Sequence, residues 1–258
     1  MSDPPRCYRC GKHPCECPDD ITLYWGDALK VLPALDEGAC IFADPPDNIG
    51  LGYNEFKDNQ PDDAYVAWLG DCLRLFIRKA GIVWASYNAR WSFAVGMIVH
   101  DLLGEHKWLE AKPCVQTFTF GQHRHNDLGN NHRPLLRLKR DDARLYPDAI
   151  RVPSWRQEHG DKRADPRGRV PGDVFEFPRV TGNARQRRAW HPTQLHEELV
   201  ERCVKLSARK GEVVIDPFAG SGTTLRVCKR LGRPCTGIEI DRGYCEHIAD
   251  ELAERTLF

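Results

Sequence analysis

IFADPPDNIG at residues 41–50 and VVIDPFAGSGTT at residues 213–224 decide how this chain reads. Each joins an apolar run to a turn of Asp, Pro and Gly, as the carboxyl end of a strand in an open α/β sheet does. Around them strands and helices alternate. ITLYW (21–25), ACIFA (39–43), GIVWAS (81–86), WLEAKP (108–113), VQTFTFG (115–121), RPLLRLKR (133–140), EVVID (212–216) and PCTGIEI (234–240) read as strands. DALKVLPAL (27–35), residues 63–79, 91–103 and 197–210, TTLRVCKRLG (223–232) and DRGYCEHIADELAER (241–255) read as helices. Such alternation predicts an α/β domain.

The composition narrows the function classes. The 258 residues carry 37 Lys+Arg and 37 Asp+Glu, so no global charge holds the chain on a polyanion. No apolar run reaches the roughly 18 residues of a membrane helix, and the polar MSDPPRCYRCGKHPCEC start has no apolar signal segment. A cytoplasmic location and no membrane partner are the default expectations. From Arg133 to Trp190 there are 15 Lys+Arg against 8 Asp+Glu, an asymmetry that suggests a polyanion-facing patch. A solvated loop whose arginines pair with nearby acids would look the same.

Of 11 cysteines, Cys7, Cys10, Cys15 and Cys17 crowd together as C-x2-C-x4-C-x-C. Four thiolates so spaced can reach one tetrahedral ion, and zinc suits a soft site. One structural zinc is therefore expected, with His13 as a spare ligand. A frayed, reduced tail is the alternative. The other seven cysteines sit in apolar or helical contexts and read as small buried hydrophobes.

DPFAGSGTT puts Gly220 and Gly222 in a strand-to-helix turn, where a ligand can approach the backbone. It lacks the lysine of a phosphate loop and the third glycine of a dinucleotide fingerprint. Asp216 before the turn disfavours a pyrophosphate and suits a ligand carrying an ammonium or sulfonium group. Glu239, 17 residues beyond Gly222, can accept bonds from two ribose hydroxyls. The combination suggests S-adenosylmethionine, although Glu239 and Asp241 could simply cap the last helix. In Asp44-Pro45-Pro46-Asp47 the prolines fix φ and remove two amide donors. A rigid carboxylate with outward carbonyls can then accept both hydrogens of an exocyclic amino group, with positioning doing most of the catalysis. A stiffened turn with Asp44 as a helix cap is the bland alternative.

Together ADPPDNIGLGY (43–53), HPTQ (191–194), DPFAGSGTT (216–224) and GIEID (237–241) resemble the amino-group DNA methyltransferases, which modify adenine N6 or cytosine N4 with S-adenosylmethionine. The motif order resembles their circularly permuted, beta-type class. The resemblance implies an open, mostly parallel seven-stranded sheet with one antiparallel strand and helices on both faces, a Rossmann-like methyltransferase fold. It implies a catalytic half over 21–140, a target-recognition insertion over 141–190 and a cofactor half over 191–258, behind a Cys-rich segment at 1–20. Asp44, Pro45 and Pro46 match the catalytic motif. Asp216, Phe218, Ala219, Gly220, Ser221, Gly222 and Thr223 match the cofactor loop, Glu239 the ribose acid, and Asp27 the acid near the adenine. His191, Thr193 and Gln194 match the segment beside the methionine moiety. Arg185, Arg187 and Arg188 are the expected phosphate contacts on double-stranded DNA. Whether two chains pair as a homodimer is left open.

Two positions depart from the family. Asp47 stands where an aromatic stacks on a flipped base, and Leu195-His196 replaces Lys-Pro. Asp47 adds a like charge beside Asp44, which should raise one of the two pKa values. Another ring must then stack: Tyr53, in the same loop, is favoured over Tyr87. On this reading Asp47→Tyr raises activity or leaves it unchanged. The lean is to adenine N6 over cytosine N4. An RNA or protein amine methyltransferase and a DNA-binding module with impaired catalysis are the remaining alternatives.

Overall fold

A computed structural model describes residues 5–13, 15–18, 20–122 and 124–253. The outer ends of the expected Cys-rich segment and of the last helix lie outside the described residues. The strands are β1 (Ile21–Trp25), β2 (Gly38–Ala43), β3 (Ala80–Ser86), β4 (Leu109–Gln122), β5 (Asn130–Arg140), β6 (Val174–Glu176), β7 (Val214–Asp216) and β8 (Cys235–Glu239). The helices are α1 (Ala28–Val31), α2 (Asp62–Lys79), α3 (Ser92–Glu105), α4 (Trp155–Glu158), α5 (Glu197–Ser207), α6 (Thr223–Leu231) and α7 (Arg242–Ala253).

All eight strands form one sheet in the order β1-β8-β7-β2-β3-β5-β4-β6. Only β5 runs antiparallel to its neighbours. The eighth strand is β6, three residues from the polar 141–190 stretch that pair in parallel with Val115–Thr117 of β4. Its exposed Val174 and Glu176 flank a single buried residue, Phe175, so no apolar run announces it. WLEAKP and VQTFTFG, read as two strands, are one. Val115 donates its amide across to Asp173, so Pro113, two residues earlier, turns its donorless nitrogen to the same side. There β6 has not yet begun, and no ladder bond is lost.

Alternation along the central strands builds a core on each face. Cys40 and Phe42 of β2, Ile82 and Trp84 of β3 and Val214 of β7 join one cluster, packed under α5, α6 and α7. Ile41, Ala43, Val83, Ala85 and Ile215 join the other, under α1, α2 and α3. In β5, Leu135 enters the first cluster and Leu136 and Leu138 the second, which explains why its pattern is not a simple alternation. Trp84 crosses its layer to donate Nε1–H to Ser207 Oγ at 2.8 Å. No helix among the described residues is long and apolar enough to cross a membrane.

The sheet reverses its winding between β7 and β2, whose carboxyl ends lie side by side. A crevice forms there because the connections leave for opposite faces. α6 must lie close on β8 to build the floor of this crevice: a Cβ on Gly237 would come 2.8 Å from Leu225 Cδ1 in a fully buried position. Gly237→Ala should therefore destabilise by about 1–3 kcal/mol through overpacking, read as a lower urea midpoint at unchanged m-value.

Candidate active site

The two Asp-Pro turns meet. Asp44–Asp47, after β2, and Pro217–Ser221, after β7, line one cavity of about 550 Å³. Seven acids line it against two arginines, Arg133 and Arg179.

On the β7 side the backbone is drawn into a cradle. Ala219 N donates to Ile238 O at 2.8 Å, Phe218 N to Asp216 Oδ1 at 3.0 Å, and Gly220 N to Glu239 Oε2 at 2.7 Å. The other Glu239 oxygen accepts from Asp241 N at 2.8 Å. Asp241, not Glu239, caps the last helix, accepting from Tyr244 N at 2.8 Å. Gly220 has φ +50°, and a Cβ there would lie 3.1 Å from His191 Nε2; only glycine leaves the space open. Asp27 caps α1 through Leu29 N at 3.0 Å and also faces the cavity. Burial pushes the Asp216 and Glu239 carboxyls up to about 7, and burial pulls His191 down to about 4. His191 is thus neutral, its Nδ1–H donating to the Thr193 carbonyl.

On the β2 side the turn is clamped from three directions. Tyr65 OH donates to Pro46 O at 2.7 Å and Trp91 Nε1–H to Asp47 O at 2.6 Å. Arg133, from β5, donates Nη2–H to Asp44 Oδ1 at 2.7 Å, Nη1–H to Asp47 Oδ2 at 2.7 Å and Nε–H to Ser86 Oγ at 2.6 Å. Asp44 caps no helix. Burial raises its carboxyl, Arg133 opposes this, and the Asp47 charge is a smaller addition. Asp47 is therefore one half of a buried ion pair, and its side chain is only 10% exposed. The loop beyond is organised by buried Asp58, which accepts from Asn48 N, Ile49 N and Leu51 N at 2.7, 3.1 and 2.8 Å.

Asp44, Pro45, Pro46, Asp47 and Tyr53 all line the cavity, as do Asp27, Asp216, Phe218, Ala219, Gly220, Ser221, Thr223, Glu239, His191, Thr193 and Gln194. Gly222 does not; it heads α6, with its would-be Cβ against Ile248 and Arg226. Tyr53 reaches Thr193 Oγ1 at 3.4 Å and its ring lies 5.9 Å from that of His191. Tyr87 packs against the second core cluster instead. Two of the three expected phosphate-binding arginines are engaged internally. Arg187 bonds the carbonyls of Arg188 and His191, the latter at 2.6 Å, and Arg188 pairs with Glu251 at 2.5 Å. Both shape the approach to HPTQ, and Gln194 holds it from within, through Arg188 N at 2.9 Å and Gln186 O at 2.6 Å. Arg185 is exposed. Elsewhere in the basic segment Arg151, Arg163 and Arg167 pair with Asp148, Asp161 and Asp165. Exposed pairs of this kind are worth little and exchange readily. Sequence reasoning missed Arg133, Asp58, Tyr65 and Trp91. The usable signal was Asp47 itself, since a carboxylate beside Asp44 in a buried turn requires a cation.

Comparison with known proteins agrees with this geometry. The model of a family described as DNA methylase, N6_N4_Mtase, matches residues 39–251. The chain is 30% identical over 243 residues to the type II methyltransferase M.HpaI of Haemophilus parainfluenzae, spanning 90% of this chain and 74% of that one. It is 31% identical over 242 residues to the DNA adenine methyltransferase YhdJ of Escherichia coli K12, spanning 86% and 79%. Its fold superposes on PvuII DNA methyltransferase, a cytosine-N4-specific enzyme, with a TM-score of 0.70 over 92% of this chain and 88% of that one, at 15% identity. The chain belongs to the N6/N4 family of DNA methylases: it is a DNA methyltransferase that uses S-adenosylmethionine to methylate an amino group of a base.

Proposed function

We propose that the Asp44 turn holds the exocyclic amino group of a flipped base in double-stranded DNA, adenine N6 in preference to cytosine N4. The Asp27, Asp216, Gly220 and Glu239 side of the cavity holds the cofactor. The observation that carries this reading is the convergence of both Asp-Pro turns on one acid-rich cavity. The preference for adenine rests on the 31% identity to an adenine methyltransferase.

The cavity fits the cofactor. The cradle at Gly220 would be filled by any Cβ, the Glu239 carboxylate sits where ribose hydroxyls can donate to it, and the surplus of acids suits a sulfonium. S-adenosylmethionine supplies an electrophilic methyl group on that sulfonium. The amino nitrogen is a poor nucleophile, because its lone pair is delocalised into the base. Asp44 and the Pro45 carbonyl accept its two hydrogens and turn the lone pair toward the methyl. Arg133 opposes the effect of burial on Asp44 and so favours its charged form as an acceptor. After transfer the nitrogen must shed a proton, and a buried carboxylate is suited to receive it. Tyr53, on the opposite wall, is the ring that stacks on the base, worth about 1–3 kcal/mol.

Mass spectrometry of nucleosides from DNA incubated with enzyme and cofactor tests the base. N6-methyladenine is the expected product; N4-methylcytosine overturns the preference. Asp44→Ala should cut turnover roughly 10²–10³-fold, as loss of one preorganised acceptor does, with cofactor affinity near normal by calorimetry. Loss in affinity with turnover intact would reverse the roles of the two turns.

Gly220→Val should abolish cofactor binding, and Glu239→Ala should weaken it about tenfold or more, or about 1.4 kcal/mol. The cation favours ionised Asp216 and Glu239, so affinity should rise as pH rises through about 7, with proton release visible in buffers of different ionisation enthalpy. The sign follows from linkage: a ligand that prefers the deprotonated form binds more tightly as protons leave.

Asp47→Tyr should lower both activity and melting temperature, contrary to the expectation drawn from the motif resemblance alone. It leaves Arg133 half-compensated, a loss toward the low end of the roughly 3–5 kcal/mol for breaking a buried pair. Adding Arg133→Gln to Asp47→Tyr should restore part of the melting temperature.

A further inference from the structure

Cys7, Cys10, Cys15 and Cys17 bring their Sγ atoms within 4.8 Å of one another, although none lines the cavity. Cys7–Cys17 and Cys10–Cys15 are each 3.9 Å apart. That is about twice a disulfide bond and close to the ~3.8 Å edge of a tetrahedron with Zn–S bonds of about 2.3 Å. All four are free thiols.

The local backbone is built to hold this arrangement. Gly11 N donates to Cys7 O at 2.7 Å and Cys7 N to Lys12 O at 3.0 Å, closing a turn around the first two cysteines. Gly11, directly after Cys10, has φ +70° and open space at its would-be Cβ. It reverses the chain without strain. Cys17 N points its amide at Cys15 Sγ, 3.4 Å away, tying the second pair of cysteines together. Apart from the cysteines, the described part of this segment has Tyr8 as its one large apolar side chain. A stretch so poor in core needs a staple to stay folded.

The segment also has a definite place. Tyr8 N donates to Leu23 O at 2.6 Å and Arg9 Nη1–H to Ile21 O at 2.7 Å. Both carbonyls belong to β1, which pairs with β8 on its other side. The Cys-rich turn thus covers the open edge of the sheet, where unpaired backbone groups would otherwise invite another strand. β1 leads directly into Gly26 and Asp27 at the cavity rim.

We propose that Cys7, Cys10, Cys15 and Cys17 bind one zinc ion, which staples this turn onto the free edge of β1. The ion is structural: it lies outside the methyl-transfer cavity and takes no part in the reaction. Binding displaces thiol protons to solvent, with no change of oxidation state.

Elemental analysis of the full chain, purified without chelator, should find one zinc per chain. Cobalt substitution should give the visible absorption of a tetrahedral thiolate site. Cys10 and Cys15 are half-exposed, so Cys10→Ser with Cys15→Ser should keep the sheet, judged by circular dichroism, and lose the metal. Hydrogen exchange at the Tyr8 amide should be slow with zinc and at least about tenfold faster after chelation, the loss expected when folding of a metal-stapled segment is linked to its ion. A metal-free chain, an octahedral cobalt spectrum, or an intact mass lowered by two disulfides overturns the site. Unchanged exchange at Tyr8 after complete zinc removal overturns the stapling role.

Discussion

Two parallel register pairs, Cys40 opposite Val214 and Ile41 opposite Ile215, join the early and late parts of the chain. The cavity depends on this short contact. Strands β2 and β7 each end in an Asp-Pro turn, and parallel pairing puts both ends at the same rim of the sheet. Their connections leave for opposite faces, so a gap opens between the turns that neither half could enclose alone. The apolar layers above and below bury both sides of these strands. That fixes the register, because a slip of one residue would exchange the two cores.

Charge is the second organising element. The turns that make the cavity bury Asp44, Asp216 and Glu239; burial raises the proton affinity of each, and neighbouring carboxylates add a smaller part. The cation that offsets Asp44 and Asp47 is Arg133, held on β5, the one antiparallel strand. The arrangement separates the two acidic sides of the cavity. Asp44 faces an internal guanidinium. Among the described residues, Asp216 and Glu239 accept from backbone amides and, for Asp216, the Thr224 hydroxyl.

The basic 133–190 segment shows why net charge is a coarse guide. Arg133 pairs with the Asp44–Asp47 turn, Arg187 and Arg188 brace the HPTQ loop, and Arg151, Arg163 and Arg167 sit in exposed pairs with neighbouring aspartates. Counting these charges detects the segment. It cannot sort those that hold the fold together from those free to meet a phosphate.

The sequence by itself determined the alternation of strands and helices, the two Asp-Pro turns with their order along the chain, and the glycine turn that follows the second. These are local properties: hydrophobic period, proline and glycine stereochemistry, and the spacing of an acid behind a strand. It also favoured Tyr53 over Tyr87, and Tyr53 is the one of the two that lines the cavity, and it marked the four cysteines as one cluster. Tertiary structure decided what depends on partners distant in the chain. Strand β6 forms because β4 has an edge to offer three residues that carry no apolar pattern of their own. Gly222 turns away from the cavity because α6 packs against Ile248. Asp47, a missing aromatic when read in line, is the partner of a guanidinium from β5, because the sheet order lays β3 between β2 and β5 and Arg133 reaches over its end. No pattern of period or spacing encodes that meeting; the fold creates it.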